Sequence, residues 1–152
     1  MRVLVDTSVW SLALRRVEQV PKPETSELRR LITLHVVDII GPIRQELLSG
    51  IREPSQFARL ESHLAAFPDL PLLADDFVTA AKFFNLFRAK GIQGSNTDFL
   101  ICAVAARHDL AVFTTDADFA RFAKFVPIIL HEFKTPTEPA SARHRRPRSE
   151  TY

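Results

Sequence analysis

The sequence predicts an α/β domain of three layers, with helices on both faces of a central, mainly parallel sheet of four to five strands. Three observations carry that prediction. Short apolar runs alternate along the chain with longer stretches of helical periodicity. The runs, such as Val3-Leu4-Val5 and Ala111-Val112-Phe113, are apolar at every position, so neither face is left for water, as in buried parallel strands. The 152 residues, 46% hydrophobic and 25% charged, are enough for one core of ordinary size and too apolar for a disordered chain.

The first strand runs from Arg2 to Asp6, and Thr7-Ser8 can cap a helix beginning near Val9. Leu28, Leu31, Ile32 and His35 share a helical face over residues 24 to 35, and Val36 to Ile40 is a second strand closed by Gly41-Pro42. Pro42 suits the first turn of a helix reaching Ser49, with Glu46 about one turn in. Pro54 opens a further helix to about Ala66, and Leu70 to Leu73 reads as a short strand. A long helix from Asp75 to Lys90 is stopped by Gly91, and Phe77, Ala80, Ala81, Phe84 and Phe87 form its core stripe. Ser95, Asn96 or Thr97 can cap a helix from Asp98 to about His108. Ala111 to Thr115 is the next strand, Asp116 to Ala123 is helical, and Val126 to Leu130 is the last strand. No internal repeat is visible.

Composition excludes several classes. The single cysteine, Cys102, allows neither an internal disulfide nor a cysteine-rich zinc site, and the start MRVLVDTSVW lacks a signal region, so a reducing cytoplasm is expected. No apolar run approaches the roughly 20 residues that span a bilayer, so membrane insertion is not expected. The four glycines have neither dinucleotide-fingerprint nor P-loop spacing. The formal net charge of +2 is uneven: residues 134 to 152 hold five Lys/Arg against two Asp/Glu. That tail has few large apolar groups to offset the entropy of ordering. The domain is therefore expected to occupy 1–133 and a basic, proline-containing disordered tail 134–152. Arg143, Arg145, Arg146 and Arg148 of the tail either are simply solvated or hold RNA phosphates.

In parallel α/β sheets ligands gather at the carboxyl ends of strands, and acids are placed there. Asp6 ends the first strand, Glu46 follows the second, Asp98 begins a helix after a polar loop, and Asp116 and Asp118 follow AVFTT. One acid at a helix start is explained by the helix dipole, at about 0.3 to 1 kcal/mol. Several converging are not, because two carboxylates about 4 Å apart repel by roughly 4 kcal/mol at an effective dielectric of 20. A set of hard oxygens without Cys or His selects Mg²⁺ or Mn²⁺ rather than zinc, and such ions serve phosphoryl transfer by activating water and stabilising charge on the phosphate.

Four segments carry a resemblance. Val3-Leu-Val-Asp6-Thr7-Ser8-Val-Trp10, Pro42-Ile-Arg-Gln-Glu46-Leu-Leu-Ser-Gly50, Asp98-Phe-Leu-Ile-Cys-Ala-Val-Ala-Ala and Thr114-Thr115-Asp116-Ala-Asp118-Phe119 resemble the four signatures of PIN-domain ribonucleases, more narrowly the VapC toxins of toxin–antitoxin modules. The match runs from Met1 to about Leu130 in the family's order. The resemblance implies a Mg²⁺- or Mn²⁺-dependent endoribonuclease that leaves a 5′-phosphate and a 3′-hydroxyl, works as a homodimer and is restrained by a VapB-type antitoxin. By the same resemblance Asp6, Glu46, Asp98 and Asp116 are the catalytic and metal-binding acids and Asp118 an accessory metal ligand. Thr7, Ser8 and Thr115 are supporting hydroxyls, each of which could equally be a helix cap or turn residue.

Other residues read more plainly. Trp10 suits packing better than base stacking, the Phe-rich stripe suits core, and Cys102 suits a small buried hydrophobe. His35, His63 and His108 fall near helix C-terminal ends, where an imidazolium is favoured. Arg15, Arg16, Arg44 and Arg52 are placed to meet phosphates, with Arg44 or Arg52 alternatively pairing with Glu46 or Glu53. The long helix and residues 54 to 70 offer surfaces for the antitoxin or a second copy. Two other functions stay open: a non-catalytic RNA- or protein-binding module of the same fold, and a receiver- or phosphatase-like domain using an acid as nucleophile. The latter lacks a fitting Lys after a later strand.

Overall fold

The computed structural model describes residues 1–14 and 22–135, so Arg15, Arg16 and the arginines of the tail lie outside the described residues. The chain forms β1 (Val3–Val5), α1 (Thr7–Leu14), α2 (Pro23–Thr33), β2 (Val37–Asp38), α3 (Gly41–Leu48) and α4 (Pro54–Leu64). It continues with α5 (Ala74–Ala89), α6 (Asn96–His108), β3 (Ala111–Phe113), α7 (Asp118–Phe122) and β4 (Ile129–Leu130). The four strands lie in the order β2-β1-β3-β4, every pairing parallel. From β1 the chain steps to one side to make β2 and returns past β1 to make β3, so the strand order reverses between β1 and β3. Every residue of β1 and β3 is buried. Because neighbouring side chains on a strand point to opposite faces, both faces of the sheet are covered, as the all-apolar runs require.

The helices pack in two groups. α1 contacts α2 and α3, and α3 contacts α4; α5 packs along α6, which rests on β3. An aromatic cluster locks the second group. The rings of Phe87 and Phe99 stack with centroids 5.3 Å apart, and Phe122 approaches Phe87 to 4.9 Å and Phe99 to 5.1 Å. All three are fully buried, each contributing roughly 1.5 to 3 kcal/mol from its removal from water.

The strands are shorter than the apolar runs, for identifiable reasons. Leu70 to Leu73 is not a strand. A single parallel bridge joins Ile39 to Asp69, and Pro68 and Pro71 deprive the segment of the N–H donors a ladder needs. Pro127 likewise confines the last strand to Ile129–Leu130. The α5 stripe is rotated from its expected position: Ala80 and Phe87 are buried and Phe84 half-buried, but Phe77 is 54% exposed and Ala81 exposed. The buried place one turn before Ala80 belongs instead to Asp76, whose carboxylate accepts from Arg107 Nε at 2.6 Å and Nη2 at 2.8 Å. This ion pair fastens the start of α5 to the end of α6. Trp10 is buried edge-on to Phe67, as packing requires. No helix among the described residues is long and apolar enough to cross a membrane.

Candidate active site

β1 delivers Asp6 to the carboxyl edge of the sheet, and its backbone N–H donates to Phe113 O at 2.8 Å, so Asp6 stands beside the end of β3. The Asp6 side chain is buried, and two hydroxyls converge on one of its oxygens. Ser8 Oγ and Thr114 Oγ1 each donate to Asp6 Oδ2 at 2.8 Å. Backbone donors fix the direction of both hydroxyls: Thr115 N–H points to Ser8 Oγ at 3.1 Å and Asp116 N–H to Thr114 Oγ1 at 3.0 Å. Each hydroxyl therefore receives a proton from the chain after β3 and gives its own to Asp6. This is why β3 stops at Phe113: Thr114 and Thr115 leave the ladder to build the rim.

Thr7 and Ser8 act differently from the helix caps they could have been. Thr7 Oγ1 donates to Glu46 Oε2 at 2.7 Å, tying the first residue of α1 to α3. Glu46 is exposed. Asp98 stands at the third position of α6 in a reciprocal cap: Ser95 N–H donates to Asp98 Oδ2 at 2.9 Å and Asp98 N–H to Ser95 Oγ at 3.1 Å. Capping and site membership are thus not alternatives for Asp98. Burial pushes its carboxyl above the usual range. Ser95's hydrogen bonds work against that rise, and the charges of Asp6 and Asp116 add to it. Asp116 is exposed, and its Oδ1 accepts from Asp118 N–H at 2.9 Å ahead of α7. Asp118, the first residue of α7, is half-buried and has no side-chain hydrogen bond among the described residues.

The sequence reading missed Thr114. It singled out Thr115, which is exposed and contributes its backbone N–H, while the hydroxyl that reaches Asp6 belongs to the residue before it. Alternation gives adjacent residues of a strand opposite directions, but β3 ends at Phe113, before both threonines, so the pattern alone does not choose between them. Arg44 was also misjudged. Its guanidinium donates to Asp69 Oδ1 at 3.0 Å, to Leu64 O at 2.9 Å and to Phe67 O, so it closes the loop after α4 and pairs with neither Glu46 nor Glu53. Glu53 instead caps α4 through Ser55 and Gln56 N–H.

Two observations bear on a cation. None of Asp6, Glu46, Asp98, Asp116 and Asp118 forms an ion pair with Lys, Arg or His among the described residues. Cys102, one turn past Asp98, is buried, and burial pushes its thiol up to about 12, with the charges of Asp98 and Asp6 adding to the rise. Among the described residues the ligand atoms at this edge are therefore oxygens, of carboxylates and hydroxyls, in type a set for a hard divalent ion. In spacing the carboxylates are looser than acids crowded about 4 Å apart. Among the described residues no three Asp, Glu, His or Cys side chains are grouped closely enough to share one metal ion, and hydroxyls stand between the acids instead.

A parallel sheet ordered 2-1-3-4 with acids at its switch point defines a doubly wound α/β domain, and the comparisons give its family. The PIN domain family model matches residues 3–125, and the chain belongs to the PIN-domain family. Within that family its relatives are VapC proteins. A VapC ribonuclease of Mycobacterium bovis and Ribonuclease VapC11 of Mycobacterium tuberculosis are each 31% identical over 136 residues, covering 87% of this chain and 99% of the relative. The fold resembles that in the crystal structure of FitAcB from Neisseria gonorrhoeae, with a TM-score of 0.68 and 23% identity over 86% of this chain and 96% of that one. It also resembles VapBC2 from Rickettsia felis, solved bound to a promoter DNA fragment, with a TM-score of 0.69 and 18% identity over 88% and 100%.

Proposed function

We propose that the chain is an endoribonuclease dependent on Mg²⁺ or Mn²⁺ and the toxin of a toxin–antitoxin pair. The observation that carries this reading is the set of acids at the carboxyl edge of β1 and β3, none of them ion-paired among the described residues, centred on a buried Asp6 whose Oδ2 is held by two hydroxyls. Drawn closer together than they stand in the ion-free chain, Asp6, Glu46, Asp98 and Asp116 would hold the ion, with Asp118 accessory. The ion would supply activation of water and stabilisation of charge on the phosphate.

The chain's own residues set the stage for that chemistry. Ser8 and Thr114 orient Asp6 through Oδ2, Thr7 holds Glu46 through Oε2, and the Ser95 cap fixes Asp98 on the first turn of α6. Held side chains do not have to be ordered when RNA arrives, which is the physical advantage of such positioning. The VapC names of the relatives support RNA as substrate and a VapB-type antitoxin as partner. Action in the cytoplasm as a homodimer is part of the same reading.

The test is incubation of purified, antitoxin-free protein with total RNA in Mg²⁺ or Mn²⁺ and in EDTA, beside Asp6→Asn and Asp98→Asn. Discrete metal-dependent fragments lost in both variants are expected. A folded wild type that cuts none of many RNAs in either metal would replace this reading with the non-catalytic binding module.

A further inference from the structure

On the flank of the acidic edge, a cavity of about 370 Å³ lies between the end of α5 and the start of α6. Phe99 forms its buried floor, with Phe84 and Ile92 half-buried and Arg88, Gly91 and Gln93 exposed at the rim. This is within the usual size range of ligand sites. We infer that this cavity is a base-binding subsite, which takes a purine of the RNA within one or two nucleotides of the scissile phosphate and sets sequence preference. The inference rests on the ribonuclease reading above.

Four features support it. The first is connection to the acids. The cavity wall ends at Gly94, its neighbour Ser95 is bonded both ways to Asp98, and the four Cα-to-Cα steps from Gly94 to Asp98 span at most roughly 14 Å. The second is chemistry. Single-stranded RNA is read by stacking on aromatic rings and guanidinium planes and by hydrogen bonds to base edges. Arg88 lies over the Phe84 ring at 5.9 Å and forms no ion pair among the described residues, so its donors face no carboxylate. Gln93 adds an amide that can both donate and accept. Arginine meets the O6 and N7 acceptors of guanine in two parallel bonds, hence a purine.

The third is rigidity. The Phe84 ring meets Phe99 edge-on at 5.8 Å, and Phe99 stacks on Phe87, so the floor belongs to the aromatic core. The fourth is the loop's fit to that floor. Gly91 has φ +71°, a left-handed turn, and a Cβ on Gly94 would stand 2.6 Å from Phe99 Cζ and 2.9 Å from Phe122 Cζ. Glycine at 94 lets the backbone lie against the rings and keeps the cavity open above them.

The experiment uses the full chain with Arg88→Gln and Gln93→Ala, neither of which touches the acids. Cleavage of a randomised hexanucleotide pool in Mg²⁺ is sequenced, KM and kcat are measured on one preferred hexamer, and binding of that hexamer, fluorescein-labelled, is measured on an Asp98→Asn background. Arg88→Gln is expected to raise KM and weaken binding about 10-fold, leave kcat within about twofold, and flatten the purine preference at one fixed position beside the cut. Unchanged preference and affinity in both variants would overturn the subsite while leaving the nuclease intact. A change of mass in solution on substitution would overturn it in favour of an interface between copies. A wild type that neither cuts nor binds RNA would overturn both readings.

Discussion

The Thr7 hydroxyl donates to Glu46 Oε2 across 2.7 Å, and this one bond joins the helix that follows β1 to the helix that follows β2. Glu46 is exposed on α3, so without Thr7 its long side chain would sample several rotamers. Thr7→Ala is therefore expected to cost activity rather than stability. Cleavage of RNA should fall by about 10-fold or more through lost positioning, with the melting temperature nearly unchanged. Thr7→Ser, which keeps the hydroxyl, should restore most of the rate. A Thr7→Ala protein as active as wild type would show that Glu46 does not depend on this bond.

Thr114 has the opposite profile. Its hydroxyl serves a buried carboxylate, so Thr114→Val leaves Asp6 Oδ2 with one donor and Asp116 N–H without an acceptor. We expect a stability loss of about 1 to 2 kcal/mol together with loss of cleavage, measured by urea denaturation and RNA digestion. Thr115→Val removes no comparable contact, since Thr115 contributes only its backbone N–H to Ser8, and should be nearly neutral in both assays.

The edge of the site was legible where chemistry and strand polarity coincide. Asp6 and Asp116 could be placed because an apolar run fixes where a strand ends and an acid at that end has nothing else to explain it. Asp98 was harder, since the same residue both caps a helix and faces other acids. Which of two adjacent threonines turns inward depends on where β3 leaves its ladder, and that is set by tertiary hydrogen bonds. The rotated α5 stripe has a similar origin. Periodicity marks Phe77 as core, but the pairing of buried Asp76 with Arg107, 31 positions away at the exposed end of α6, decides which side of the helix faces α6.

That pair makes a pH prediction. Arg107 holds the Asp76 carboxyl below the usual range, and Leu73 N–H supports it at 2.8 Å. A depressed folded-state pKa contributes stability that is fully present above the unfolded value, near 4, and lost as pH falls through the folded one. Glu27 behaves likewise, lowered first by Arg30 and further by His131 at 2.8 Å. Urea denaturation should show wild-type stability declining below about pH 4. Asp76→Asn should be less stable at neutral pH by about 1.5 to 3 kcal/mol and lose less on acidification. An acid limb identical in the variant would mean that the pair contributes nothing to folding.

Cys102 offers a probe of the site that needs no RNA. It sits one turn past Asp98 on α6 with no measurable exposure, and its thiol is pushed up to about 12. Only the thiolate reacts with alkylating agents, so two barriers protect it: no access and almost no thiolate near pH 8. Iodoacetamide should leave the native protein unlabelled over hours and label it fully in guanidinium. Native labelling, where it occurs, then reports openings of α6 against β3, a motion that would also move Asp98 relative to Asp6. A divalent ion that draws those two acids together should slow that labelling, while Ca²⁺-free, Mg²⁺-free buffer with EDTA should give the fastest rate. Rapid labelling of the native chain that no cation slows would mean that Cys102 is reached by a route independent of the acids, and that the core beneath them is looser than its burial implies.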